Sequence, residues 1–168
     1  YRNDIDFWCF VQYHLDAQLS EVCAYAHSKG VVFKGDLPIG ISRTSVDAWL
    51  YPQLFHMNSQ AGAPPDAFSA DGQNWGFPTY NWEKMAEDDY AWWKARLAKM
   101  SEYFDAFRID HILGFFRIWE IPLEYQSGLE GYFSPALPYP ANELQNQGFD
   151  VNEKALFIED PRKTGCYH

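Results

Sequence analysis

Arg108 and Asp110 are the residues best placed to do chemistry, in the run Ala106-Phe107-Arg108-Ile109-Asp110 with His111 next. Alternation predicts a β-strand over 106–110, with Phe107 and Ile109 on one face and Arg108 and Asp110 on the other. An arginine beside an aspartate favours the charged form of the carboxylate. An ionised, oriented carboxylate is what a covalent nucleophile requires. In a parallel α/β arrangement such groups collect where the strands end, and Asp110 falls at that end. His111 can donate to a substrate hydroxyl. The same pair also suits a buried structural bridge, and spacing alone does not separate the two.

A carboxylate nucleophile working at a sugar carbon needs a second carboxyl as general acid, roughly 5 to 5.5 Å away in retaining chemistry. Asp36, Asp47, Asp66 and Glu120 are the candidates. Asp36 ends another predicted strand and sits near Asp110 if the two strands are neighbours. Its expected role is structural or substrate-contacting. Glu120, in Trp119-Glu120-Ile121-Pro122, lies just past the Asp110 strand.

These residues must be positioned by regular elements. Val11, Leu15, Leu19, Val22 and Ala26 recur at spacings of three and four, which predicts an amphipathic helix over 4–29. Asn3 or Asp4 can cap it, and Gly30 suits its C-terminal end. Val31-Val32-Phe33 is a short β-prone run, ended by Gly35-Asp36-Leu37-Pro38 because proline cannot continue a central ladder. Residues 40–80 show no sustained period. Their aromatics, Phe68, Trp75, Phe77 and Tyr80, argue for an ordered binding loop rather than disorder. A second helix is predicted over 82–104, capped by Asn81, with Trp93, Leu97, Met100 and Phe104 as its buried stripe. Residues 115–122 are apolar. Pro135, Pro138 and Pro140 and the polar run 142–148 interrupt the tail, so 126–168 is read as irregular, a boundary or the start of an insertion.

The order helix, strand, long loop, helix, strand is a βαβ crossover with a preceding helix. The fold class is therefore α/β with parallel strands. Two such strands do not make a finished sheet, since parallel strands are buried on both faces.

Composition excludes several classes. At 47% hydrophobic and 21% charged residues the chain is globular. A net charge of −10 with no basic stripe argues against nucleic acid as partner. No apolar run approaches the roughly 20 residues of a membrane span. Cys9, Cys23 and Cys166 are odd in number and form no CxxC, which fits reduced thiols and a cytoplasmic setting better than a disulfide framework or zinc knuckle. The start, Tyr1-Arg2-Asn3-Asp4, has neither Met nor a signal pattern, so the chain is expected to begin within a longer protein. Seven Trp, eleven Tyr and thirteen Phe are mostly core, with some available as platforms for apolar sugar faces.

Three ordered motifs carry a resemblance. Gly35-Asp36-Leu37-Pro38-Ile39 with Ser45-Val46-Asp47-Ala48-Trp49 is one. Pro64-Pro65-Asp66-Ala67-Phe68-Ser69 with Gly72-Gln73-Asn74-Trp75-Gly76-Phe77-Pro78-Thr79-Tyr80-Asn81-Trp82 is the second. Phe107-Arg108-Ile109-Asp110-His111 with Gly114-Phe115 and Trp119-Glu120-Ile121-Pro122 is the third. Over about residues 30–125 the chain resembles the amylomaltase family of 4-α-glucanotransferases, in detail most like the maltose-acting disproportionating enzymes of the plant cytosol and their bacterial relatives. The resemblance implies part of a (β/α)8 TIM barrel, with residues 1–125 a segment of the catalytic barrel. It implies Asp110 as nucleophile, Arg108 orienting it, and His111 touching the sugar. It implies further that Trp75 packs on the glucan, that Asp47 is the acidic residue of the first motif, and that Asp66 and Phe68 lie on the acceptor side. Asp36 and Tyr80 join these as substrate-binding candidates.

Two departures stand out. Ala67 occupies a position where many amylomaltases carry Tyr, which suits a loop that admits a bulky or branched acceptor. The family's acid/base glutamate and second aspartate have no matching motif before His168, so the chain alone is expected to be inactive. The implied reaction is double displacement on maltose, maltodextrin, glycogen or another α-glucan, with no metal and no cofactor. An α-glucan hydrolase and a non-catalytic glucan-binding module using Trp75, Phe77 and Trp82 are the alternatives. The chain is expected to need the rest of its parent, or to self-associate.

Overall fold

The computed structural model describes residues 1–152, 157, 159, 160 and 163–167, so the expected irregular segment 126–168 lies in part outside the described residues. Helix α1 spans Arg2–Ser28. It ends where Gly30 takes φ 72°, in the left-handed region that glycine enters without steric cost. Its apolar stripe is buried only at Ala26, with Val11 and Leu19 half-buried. Leu15 and Val22 are exposed, and Cys23 and Ala26 are the buried positions. The pattern marks a face that wants a partner, and the described residues bring little against it.

Strand β1 is Lys34–Leu37, three residues later than Val31-Val32-Phe33. Pairing decides this: β1 runs parallel to β6 (Ala106–Ile109), with Lys34 opposite Ala106 and Leu37 opposite Ile109. The 40–80 stretch holds several elements too short to show a period. Helix α2, Val46–Leu50, is capped by Ser45, whose Oγ accepts from the Ala48 N–H at 3.2 Å. Then come β2 (Phe55–His56), β3 (Ser59–Ala63), β4 (Gln73–Asn74) and β5 (Thr79–Tyr80).

The single helix expected over 82–104 is two: α3, Trp82–Ala86, and α4, Ala91–Ser101. Asn81 caps α3 as expected, accepting from the Lys84 N–H at 3.1 Å. Between the helices Asp89 and Tyr90 have φ of 57° and 58°, which a right-handed helix cannot pass through. Of the expected stripe, Trp93 is buried while Leu97 is exposed. After β6 come β7 (Ile118–Pro122), β8 (Tyr132–Ser134), β9 (Tyr139–Pro140), α5 (Ala141–Asn146) and β10 (Cys166–Tyr167). The tail read as irregular therefore contains short strands and a helix.

The chain forms two compact units, one of Tyr1–Met57 with Phe77–Ile112, the other of Asn58–Gly76 with Leu113–His168. The first holds the parallel pair β1–β6 with α2, α3 and α4 in the crossover between its strands, and the two-rung antiparallel pair β2–β5. The second is built on an antiparallel sheet in the order β4-β3-β7-β8, with Ala61 and Ile121 fully buried at its centre. The second unit runs across 125/126, because β7 pairs with β8, Ile118 opposite Ser134. Among the described residues, no helix is long and apolar enough to cross a membrane.

Candidate active site

Parallel pairing builds the site of the first unit. Register puts Asp36 opposite Arg108. The Asp110 N–H donates to the Leu37 carbonyl at 3.0 Å, so the ladder continues one rung past β6 and sets the Asp110 backbone. Arg108 then forks. Its Nη1 donates to Asp36 Oδ2 at 2.8 Å and its Nη2 to Asp110 Oδ1. One planar cation thus holds carboxylates from two neighbouring strands, a geometry a lysine does not reproduce.

The side chains of Asp36, Arg108 and Asp110 are 60%, 54% and 44% exposed. Exposed ion pairs contribute only about 0–1 kcal/mol each. The fork therefore orients Asp110 more than it holds the fold. Asp36 accepts a bond from a guanidinium, which suits an anchor rather than a proton donor. His111, next in the chain, is exposed and has φ 47°, a conformation that costs on the order of 1 kcal/mol outside glycine and concentrates at functional sites.

Asp47, in the first turn of α2, accepts at Oδ1 from Trp92 Nε1 at 2.9 Å. It lines a cavity of about 920 Å³ with Tyr51, Trp92, Arg96, Lys99 and Tyr103. Tyr80 departs from its reading as a substrate-binding residue. It is 6% exposed and ringed by Phe55, Trp82, Trp92 and Trp93. Arg96 Nη1 donates to its hydroxyl oxygen at 3.2 Å, and burial pushes its pKa up to about 12. Tyr80 is a neutral core residue with no face left for a sugar. Trp92 and Arg96 were not singled out from the sequence. Their spacing of four on a helix was the available signal.

In the second unit, Asp66 Oδ1 accepts from the backbone N–H groups of Phe68 and Ser69, both at 2.8 Å, and Ser69 Oγ donates to the Gly72 carbonyl at 2.6 Å. The turn closes on itself and presents Phe68, 97% exposed, at its tip. Trp75 is tied to β3 through its N–H to the Ala61 carbonyl at 2.9 Å, and its ring Nε1 donates to Gln73 Oε1 at 2.9 Å. Glu120 is buried in β7 opposite Tyr132. Burial first, and the Glu120 charge second, push the Tyr132 hydroxyl pKa up. That carboxylate is part of the sheet interior. Asp110, Arg108, His111, Asp36, Asp47 and Tyr80 thus belong to the first unit, and Asp66, Phe68, Trp75 and Glu120 to the second.

Comparison with known proteins places the chain in a family. A family model described as 4-alpha-glucanotransferase matches residues 1–159. The 4-alpha-glucanotransferase DPE2 of Oryza sativa subsp. japonica is 59% identical over 163 residues, covering 95% of this chain and 17% of its own length. The 4-alpha-glucanotransferase of Chlamydia caviae is 40% identical over 156 residues, covering 93% of this chain and 28% of its own. Among solved structures, the amylomaltase from Streptococcus agalactiae in complex with acarbose superposes with a TM-score of 0.71 at 37% identity, over 90% of this chain and 32% of that one. The chain thus spans less than a third of the length of each of these relatives.

Proposed function

The chain belongs to the 4-alpha-glucanotransferase family, and we propose that it is the nucleophile-bearing segment of an enzyme that moves α-1,4-glucosyl units between glucans. The observation that carries this reading is the Arg108 fork, which orients Asp110 without contributing much to stability.

In the first half-reaction an Asp110 oxygen bonds to the anomeric carbon as the glycosidic C–O bond breaks, and a general acid protonates the leaving oxygen. In the second, the 4-hydroxyl of an acceptor sugar attacks the glycosyl ester. Its proton returns to the acid's conjugate base and Asp110 is released as carboxylate. Arg108 holds Asp110 in line, Asp36 anchors Arg108, and His111 bonds a hydroxyl of the reacting sugar. Asp47 lines the cavity of the first unit, and Trp75, Phe68 and Asp66 are the glucan-binding residues of the second. Neither metal nor organic cofactor takes part in such a displacement.

Residues 1–125 are assigned to a (β/α)8 barrel, where chemistry gathers at the C-terminal strand ends, and 126–168 to the start of an insertion. The parallel β1–β6 pair supports the barrel assignment. The acid is assigned to a segment of the parent outside these residues, since Asp36 is bonded to Arg108 and Glu120 is buried in a sheet. Without it the loss is roughly 10²–10⁴-fold, so the chain by itself is inactive. Relatives named 4-alpha-glucanotransferase and amylomaltase, one in complex with acarbose, support an α-glucan substrate. Maltose or maltodextrin is the proposed donor, and glycogen or a similar polysaccharide the acceptor. Three unpaired cysteines, Cys9 exposed among them, support a reducing cytoplasmic setting.

The test uses the parent enzyme with maltose and glycogen, following free glucose and total reducing ends together. Glucose release at constant reducing ends is the expected result. Reducing ends that climb with glucose make it a hydrolase, and no change with any α-glucan leaves a binding module.

A further inference from the structure

The two-rung ladder β2–β5 stands where the chain leaves the first unit after Met57 and re-enters it at Phe77. It is the neck of the segment 58–76, which carries Asp66, Phe68 and Trp75. A strand pair this short is at best marginal in water and needs packing against another element. His56 and Thr79 add one side-chain contact, Nδ1 to Oγ1 at 3.1 Å. Beside it the Asn81 N–H donates to the Leu54 carbonyl at 2.9 Å, Trp82 of α3 packs on Tyr80 with ring centroids 4.9 Å apart, and α4 adds a further grip.

Trp92 and Trp93 set their rings at 88° with centroids 5.2 Å apart, which makes a corner of two aromatic surfaces. The Arg96 guanidinium fills that corner, 5.2 Å from the Trp92 centroid and 5.1 Å from the Trp93 centroid. From there it reaches the Tyr80 hydroxyl on the returning strand. On the leaving strand, Phe55 packs edge-on against Trp92 at 5.6 Å. One helical side chain, with the ring it stacks on, therefore grips one residue from each strand of the neck.

We infer that Arg96 is a positioning residue that closes the neck of segment 58–76 and so sets the loop that meets the glucan. This rests on the proposed reading of that loop as substrate-binding. The position needs a cation whose centre lies 5.2 and 5.1 Å from two ring centroids while an outer N–H still reaches the phenol. An ammonium can approach one ring or bond the phenol, not all three together. Tyr80 remains a neutral phenol well above neutral pH, so the latch does not loosen across the working range of an enzyme.

The variants are Arg96→Lys, Arg96→Met and Tyr80→Phe, made in the parent enzyme and assayed for transfer to a glucan acceptor. With Arg96→Met, KM for the glucan rises roughly three- to tenfold, the worth of one such contact. Its kcat stays within about twofold. Arg96→Lys and Tyr80→Phe give smaller rises in the same direction. Tyr80→Phe adds nothing on top of Arg96→Met, because both remove one bond.

Limited proteolysis without glucan reads the neck directly: cutting within 58–76 speeds up in the order of the KM changes. A packing role alone lowers thermal stability while KM and cutting stay at wild-type values, and that result overturns the inference. If the wild-type parent transfers no glucan, the proposed function falls. Proteolysis then still decides the neck, with unchanged cutting counting against Arg96 and faster cutting for it. Should Arg96→Met fail to fold, Arg96→Lys and Tyr80→Phe carry the same measurements.

Discussion

Strands β6 and β7 follow one another in the chain and differ in nearly every physical respect. All four residues of β6 are exposed, including Phe107 at 36% and Ile109 at 41%, and its one strand partner among the described residues is β1. β7 is flanked by β3 and β8 and buries Ile118, Glu120 and Ile121. An antiparallel sheet completes itself from whatever strands lie to hand, each needing only its neighbours. A parallel strand needs crossovers and a layer on each face before its apolar side chains leave water. The residues assigned to chemistry thus follow the strand that is energetically unfinished here. The residues that hold the fold lie on the finished one.

That contrast can be broken from either side, and the largest effect is expected at the chemistry. Asp110→Asn in the parent enzyme should cost about 10⁴-fold or more in transfer rate, the scale of losing a covalent nucleophile. Its unfolding midpoint should hardly move, since Asp110 is 44% exposed. A large stability loss would mean that the fork is structural after all. On the other side, Ile121→Ala removes a side chain with 0% exposure and should cost about 2–5 kcal/mol in urea unfolding. The same change at Ile109 should cost under about 1 kcal/mol in this chain. Equal losses at the two positions would erase the comparison.

Gly62→Ala sharpens it further. A Cβ at Gly62 would lie 2.1 Å from the Gln73 carbonyl oxygen across the β3–β4 pair, so that edge must open, at roughly 1–3 kcal/mol.

The smallest effect is at the entry to the parallel pair. Asp105 accepts from Phe33 N–H at 3.2 Å and pairs with His27 Nε2 at 2.8 Å. The His27 hydrogen bond above all holds its carboxyl below the usual carboxylate range. A depressed carboxyl pKa contributes stability that is present above its unfolded value and lost as pH falls through the folded one. The unfolding midpoints of wild type and Asp105→Asn should therefore differ slightly near pH 6 and begin to converge only below about pH 4, meeting once pH has fallen through the lowered folded value.

Local signals were legible where a local cause was enough. Spacings of three and four marked α1, Asn81 capped α3, Gly30 ended α1, and alternation found β6 to within a residue. The pairing of Arg108 with Asp110 followed from their shared face. Three things were not legible. β1 starts at Lys34 rather than Val31 because its partner strand chooses the register. The helix after Asn81 breaks because Asp89 and Tyr90 turn left-handed, which no propensity at those positions announces. The stretch 40–80 reads as loop because strands of two to five residues carry no period, and β3 draws its meaning from β7.

Residue types and order alone determined that the chain is α/β, that Asp110 stands at a strand end beside Arg108, and which family its motifs resemble. These depend on neighbours in sequence and on motif wording. Only the tertiary structure decided that Asp36 shares Arg108 with Asp110, that Tyr80 is a core residue held by Arg96, and that Glu120 is buried in a sheet. Each of those rests on a contact between residues far apart in the chain, whose energy exists only once the chain has brought them together.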